Sequence, residues 1–228
     1  MIGIIASMQT ELIFTEKCTF IGEEKSSYFT YKKYSYEGKE FITSVCETGK
    51  VSASVCTQEM ILKYNPEIII NTGTSGSLKK GIKCKDIVIA LDCVQHDLDV
   101  SAFGYKKGEH PDLKKIEFPS DEKFVETTKS FTPEGYALHY GRILTGDCVV
   151  VDSSIKAKLV ENFNGDCVEM EGGAVAQVCH MYGVKFGLLR SISDGDGDDD
   201  EAHEEFRTNM QSASEKCGDV ILHVIKEY

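Results

Sequence analysis

The strongest constraint on the fold is a recurrence of short β-branched runs separated by amphipathic stretches. Residues 2–6 open the chain as an uninterrupted apolar run, the pattern of a strand buried on both faces. Comparable strand-like runs follow at residues 41–46, 67–71, 86–93, 142–145, 167–169 and 184–192, with helical patterns over residues 51–64, 121–129, 153–162 and 171–182 between them. Strands of this kind need cover on both faces, and intervening helices supply it. The expectation is an α/β fold with a central sheet, its 228 residues forming one domain, 1–228. Phe206, Met210, Ala213, Cys217, Val220 and Val224 advance in steps of four and three, so a last helix should present them as one core-facing stripe. Residues 106–135 hold three of the four prolines and little periodicity, and read as a long excursion with at most one short helix.

Charge and cysteine usage narrow the partners. A formal net charge of -12 is a poor match to nucleic acid or an anionic membrane, which leaves small molecules as the expected ligands. Nine cysteines, an odd number without a C-x-x-C pair, read as reduced thiols and point to the cytoplasm. The first residues lack the basic segment of a secretion signal, and no apolar run approaches the roughly 20 residues of a membrane span.

Three motifs fail on inspection. Thr48-Gly49-Lys50-Val51-Ser52 lacks the upstream glycine of a phosphate loop, and Ser or Thr does not directly follow its lysine. The acidic run from Asp194 to Glu205 has calcium-loop spacing, but Asp199 stands where the sharp turn needs glycine. The six histidines form no ligand pattern with one another or with cysteine, so neither a metal nor another cofactor is expected. Chemistry must then come from carboxylates.

Polar residues gather at the ends of strand-like runs, where α/β sheets build ligand crevices. Met8 to Glu11 follow the first run, Asn71 to Ser77 follow the apolar Ile68-Ile69-Ile70, Val168 to Ala174 surround the sixth, and Arg190 to Asp194 end the seventh. Each segment alone is compatible with a solvated carboxylate, a helix cap or a plain turn. Their joint order is more specific: G-I-I-x-x-M-x-x-E, N-T-G-x-x-G, H-D-x-D-V-x-A-F-G-Y, G-D, V-E-M-E and R-x-I-S-D.

That series resembles the 5'-methylthioadenosine/S-adenosylhomocysteine nucleosidases of the purine nucleoside phosphorylase superfamily, from Gly3 to the last helix. The resemblance implies a three-layer α/β/α sandwich with a mixed, partly barrel-like sheet, and a homodimer. It implies hydrolysis of the N-glycosidic bond of a 5'-modified adenine nucleoside. Glu11 would be the base for the attacking water, with Arg190 and Ser75 orienting it beside Gly76 and Met8. Glu171 would grip the ribose hydroxyls, Met170 would pack beneath the sugar, and Glu169 would belong to the same substrate-binding segment. Asp194, held by Ser193, would bind and protonate the purine, with backbone around Val150 reading the adenine edge. Phe103 and Pro111 would cross from the neighbouring subunit to close the 5' pocket.

The chemistry explains the residue types. The glycosidic bond breaks through an oxocarbenium-like sugar, which needs an activated water on one face and acid assistance to the departing base. Val149 departs from the family pattern, where an aromatic often stacks on adenine, as does His203, where a phenyl ring often stands. The rival enzyme is a phosphorylase, whose site resembles an arginine cluster; only Arg190 falls at a candidate position here. The rival outside catalysis is a nucleoside-binding protein, marked by loss of a carboxylate, yet Glu11, Glu171 and Asp194 are all present.

Overall fold

A computed structural model describes the backbone of residues 1–26, 28–194 and 199–228, and the side chains of all of these except 194 and 199–208. In chain order the strands are β1 (Ile2–Ala6), β2 (Thr19–Lys25), β3 (Thr30–Tyr36), β4 (Lys39–Val45), β5 (Ile68–Ser77), β6 (Ile87–Gln95), β7 (Glu117–Pro119), β8 (Leu138–Thr145), β9 (Cys167–Glu169) and β10 (Lys185–Asp194). The helices are α1 (Lys50–Tyr64), α2 (Glu122–Lys129), α3 (Ser153–Phe163), α4 (Gly172–Tyr182) and α5 (Asp199–Glu227), with a 3₁₀ segment at Gln9–Lys17.

All ten strands join one mixed sheet. β5 pairs with β10 in parallel, β10 with β6 antiparallel, β6 with β8 and β8 with β9 in parallel, and β9 returns antiparallel to β5. These five strands close a ring. From β5 the sheet continues outward through β1, β4, β3 and β2.

Period-two alternation sorts the core onto two faces. Ile5, Ile69, Val88 and Leu188 pack with Ala53, Cys56 and Met60 of α1 and Val175 and Cys179 of α4. Ile4, Ile68, Ile87 and Leu189 face the other way, against Phe124 of α2 and Cys217, Val220 and Val224 of α5. The stripe expected on the last helix is core at Ala213, Cys217, Val220 and Val224, whereas Met210 is half-buried and the side chain of Phe206 lies outside the described residues. The result is the three-layer α/β/α arrangement.

Three differences from the sequence reading have physical causes. β2 and β3 had no signature, because β2 is almost wholly exposed and the buried Tyr31 and Tyr34 of β3 are spaced by three. The run 67–71 extends to Ser77, since pairing with β10 carries the strand through the Gly-rich segment that reads as a turn. Residues 106–135 hold α2, as expected, and also the three-residue β7 against β6. Among the described residues no helix is long and apolar enough to cross a membrane.

Candidate active site

Strand pairing itself opens the site. β5 pairs with β1 only as far as Thr72 and with β9 only from Gly76, so one edge of Gly73-Thr74-Ser75 has no strand beside it. The Glu11 carboxylate, delivered by the 3₁₀ turn after β1, fills that gap. Its Oε1 accepts from the Thr74 amide at 2.9 Å and the Thr74 hydroxyl at 3.3 Å. Its Oε2 accepts from the Ser7 amide (3.0 Å), the Ser7 hydroxyl (2.9 Å) and the Met8 amide (3.1 Å). Gly73 permits the approach: a Cβ there would stand 2.7 Å from Glu11 Oε1.

Glu171 reaches the same space from the turn between β9 and α4. Its Oε1 accepts from the Gly49 amide at 2.8 Å, immediately ahead of α1. Burial, with the like charges of Glu169 and Glu11 nearby, pushes its carboxyl up to about 7, although Arg190 and the Gly49 amide pull the other way.

Both carboxylates border a cavity of about 340 Å³ at this end of the sheet. Met8, Ser75, Gly76, Met170 and Ser193 line it on the carboxylate side, and Cys148, Val149, Val150 and Val151 form an apolar wall. The Ser75 hydroxyl is buried, with the Cys167 thiol beside it. Ser193 donates its hydroxyl to the Ser75 carbonyl at 3.2 Å.

A second layer lies behind the carboxylates. Arg190, expected beside the attacking water, does not line the cavity; it is 1% exposed and faces the back of the carboxylates. Its guanidinium donates to Glu169 Oε2 and to Asn71 Oδ1 (2.6 Å), and lies 3.8 Å from Glu171 Oε2. Desolvation works against its charge, but Glu169, Glu171 and Glu11 outweigh that and hold it well above its ordinary value. Glu169, expected among the substrate-binding residues, borders the cavity with both oxygens already occupied. They accept from the Thr145 hydroxyl, Arg190 and the amides of Glu171 (2.9 Å) and Gly172 (2.7 Å). Its bonds to the Glu171 and Gly172 amides hold the Met170-Glu171 turn in shape.

A fold whose ring opens onto two buried carboxylates and an apolar wall has close counterparts. The phosphorylase superfamily model matches residues 1–226. A 5'-methylthioadenosine/S-adenosylhomocysteine nucleosidase from Exiguobacterium sp. is 34% identical, over 99% of this chain and 97% of its own. The chain belongs to this nucleosidase family. A Neisseria meningitidis nucleosidase in complex with methylthio-immucillin-A superimposes with a TM-score of 0.92 at 29% identity, covering 100% of this chain and 99% of that one. Helicobacter pylori futalosine hydrolase gives 0.92 at 32%, covering 100% and 97%.

Apart from Arg190, buried behind the carboxylates, the nucleosidase positions fall into three groups. Met8, Glu11, Ser75, Gly76, Val149, Val150, Glu169, Met170, Glu171 and Ser193 meet at the cavity. Phe103, 83% exposed, and the half-buried Pro111 do not reach it within one chain. The side chains of Asp194 and His203 lie outside the described residues, as does most of the acidic run; the backbone of Asp194 ends β10, opposite Gly76. Sequence reading gave no role to Ser7, Thr74 or Gly49; Gly49 acts through its backbone amide, which carries no side-chain signal, and Ser7 and Thr74 add a hydroxyl to theirs.

Proposed function

We propose that this cavity hydrolyses the N-glycosidic bond of a 5'-modified adenine nucleoside, of the methylthioadenosine or S-adenosylhomocysteine kind, releasing adenine and the modified ribose. The observation that carries water rather than phosphate as nucleophile is the charge of the lining. Among the described residues it contains Glu11, Glu169 and Glu171 and neither Lys nor Arg, while the buried Arg190 is committed to Glu169 and Asn71. A phosphate dianion there would meet carboxylates without a free guanidinium to bind it.

Glu11 takes the proton of a water held beside Ser75, whose buried hydroxyl supplies a contact for it. Glu171 accepts from the ribose hydroxyls, and Met170 packs under the ring. The apolar wall at Val149 to Val151 receives the purine, which Asp194 protonates as it leaves. Arg190 and Glu169 serve from behind, keeping two acids close enough to share one substrate. All of this lies within one domain, residues 1–228, which works in the cytoplasm as a homodimer. Phe103 and Pro111 complete the neighbouring subunit's 5' pocket; the exposure of Phe103 supports that reading.

A second substrate, futalosine, is favoured by the likeness to the Helicobacter pylori hydrolase. The deciding experiment is base release from methylthioadenosine, S-adenosylhomocysteine, adenosine, inosine and futalosine, each with and without phosphate. Adenine release from the first two without phosphate is the expected result. Strict phosphate dependence overturns the hydrolytic reading, and release from futalosine alone transfers it to that substrate.

A further inference from the structure

Three loops meet beside the cavity through charged groups that the catalytic assignment leaves unused. Lys50, the first residue of α1, reaches Asp97 in the loop after β6, with Nζ to Oδ1 2.7 Å apart and side chains only 20% and 28% exposed. The other oxygen of Asp97 accepts from the Asp147 amide at 3.0 Å, in the loop after β8. Asp147 closes the triangle, its Oδ1 accepting from the Lys50 amide at 2.8 Å. Gly49 gives α1 no side-chain cap, so Asp147 caps the helix from another loop, with its charge at the favourable end of the dipole.

The triangle stands at a junction. Gly49 and Lys50 donate successive amides in two directions, the first to Glu171 and the second to Asp147. Directly after Asp147 come Cys148 to Val151, the apolar wall of the cavity. Gly49 itself adopts φ 94°, and a Cβ there would stand 3.1 Å from Asp147 Oδ1. Asp97 keeps its charge although burial opposes it, because Lys50 and the Asp147 amide together hold its carboxyl below the usual range.

We propose that Lys50, Asp97 and Asp147 are positioning residues for base recognition, bracing the 148–151 wall against the start of α1 and so fixing its distance from Glu171. This rests on the nucleosidase reading and adds residues that touch no substrate. The segment containing Asp97, which also leads to Phe103, thereby acquires a role inside its own subunit. The sugar side is held separately, by the Gly49 amide on Glu171 and by Glu169 beneath the turn. Loosening the brace should therefore weaken adenine more than the sugar.

The test measures adenine and 5'-methylthioribose binding by calorimetry on the full chain, beside steady-state kinetics and thermal melts. Lys50→Met should raise the Kd for adenine about tenfold, the loss expected for one charge-assisted contact. The Kd for the sugar should change less than about twofold, and KM should rise far more than kcat falls. Lys50→Arg should restore most of the adenine affinity, and Asp97→Asn added to Lys50→Met should cost little more, because both break one network. An adenine Kd in folded Lys50→Met within about twofold of wild type overturns the proposal, as do equal losses on base and sugar. Wild type that neither releases nor binds adenine overturns the nucleosidase reading and the brace together; an active wild type with an indifferent Lys50→Met overturns the brace alone.

Discussion

Gly73→Ala tests whether the gap in β5 exists to admit Glu11. An alanine Cβ would lie 2.7 Å from Glu11 Oε1, 3.0 Å from Cδ and 3.1 Å from Oε2, all inside ordinary contact. Either β5 or the carboxylate must shift by roughly half an ångström or more, and β5 is fixed by its pairing with β10. The carboxylate yields, giving up its two Thr74 bonds first. Charge-assisted bonds contribute about 1.5–3 kcal/mol each, and a misplaced general base costs about 10²- to 10⁴-fold in rate. Less conformational freedom in the unfolded chain returns about 0.4–1 kcal/mol to Gly73→Ala, so we expect a net destabilisation of about 2–5 kcal/mol, or roughly 4–20 °C in Tm. Adenine release, followed as kcat/KM for methylthioadenosine, should fall at least about 100-fold. The control is Glu11→Asp, whose shorter side chain withdraws from the intruding methyl group. On that background Gly73→Ala should cost less than about threefold. A folded Gly73→Ala with more than half the wild-type kcat/KM, or the same fractional loss on both backgrounds, would refute the steric argument.

Glu171 has a folded pKa of about 7 against an ordinary 4.5, so it favours the folded state below the ordinary value and loses that contribution as pH rises through about 7. Glu171→Gln, neutral throughout, should gain stability relative to wild type by on the order of 1–3 kcal/mol between pH 5 and 8 in thermal melts, while losing activity; a constant Tm difference contradicts this. Arg190→Met should destabilise by about 3–5 kcal/mol in urea melts because it strands Glu169 and Glu171, and near-wild-type stability would mean the cation is dispensable there. Asp194→Asn should slow adenine release about 10²- to 10⁴-fold yet spare a nitrophenyl riboside whose leaving group needs no proton, whereas Glu11→Gln should slow both. Equal losses from Asp194→Asn on the two substrates would remove its role as the acid.

The sequence showed most clearly what hydrophobic periodicity and side-chain chemistry encode. β1 and β9 were legible to the residue, β1 as an apolar run closed by Ser7 and β9 as Cys-Val-Glu between Asp166 and the Met170-Glu171 turn. Glu11 and Glu171 were legible as polar residues past those runs, and Met170 only through the family resemblance. Arg190 was legible as a site residue but not as a buried one, since a guanidinium in a motif looks the same whether it faces ligand or two carboxylates. Thr145, which donates to Glu169 and accepts from the Gly173 amide at 2.7 Å, gave no signal, being one hydroxyl at the end of an apolar strand. Lys50 announced itself only as part of a failed phosphate loop. The missing information in each case is pairing between distant segments, which no local window contains.

The ring of five strands also bears on how the protein is made. β5 and β10 are neighbours in space, but residues 78–184 must emerge from the ribosome before the two can meet. Until then β6 lacks its β10 partner and β5 has an exposed edge, the kind of surface on which nascent chains stick to one another. Closure of so long a loop comes late and slowly. The gap at Gly73 to Ser75 therefore cannot be assembled by a growing chain piece by piece: a nascent chain carrying β1 to α4 has all three carboxylates that border the cavity, but it lacks Arg190, the cation that makes their proximity tolerable. Synthesis of β10 delivers the last wall and the counter-charge in one stroke, so ribosome-bound chains stalled ahead of it should depend on chaperones and those stalled beyond it should not.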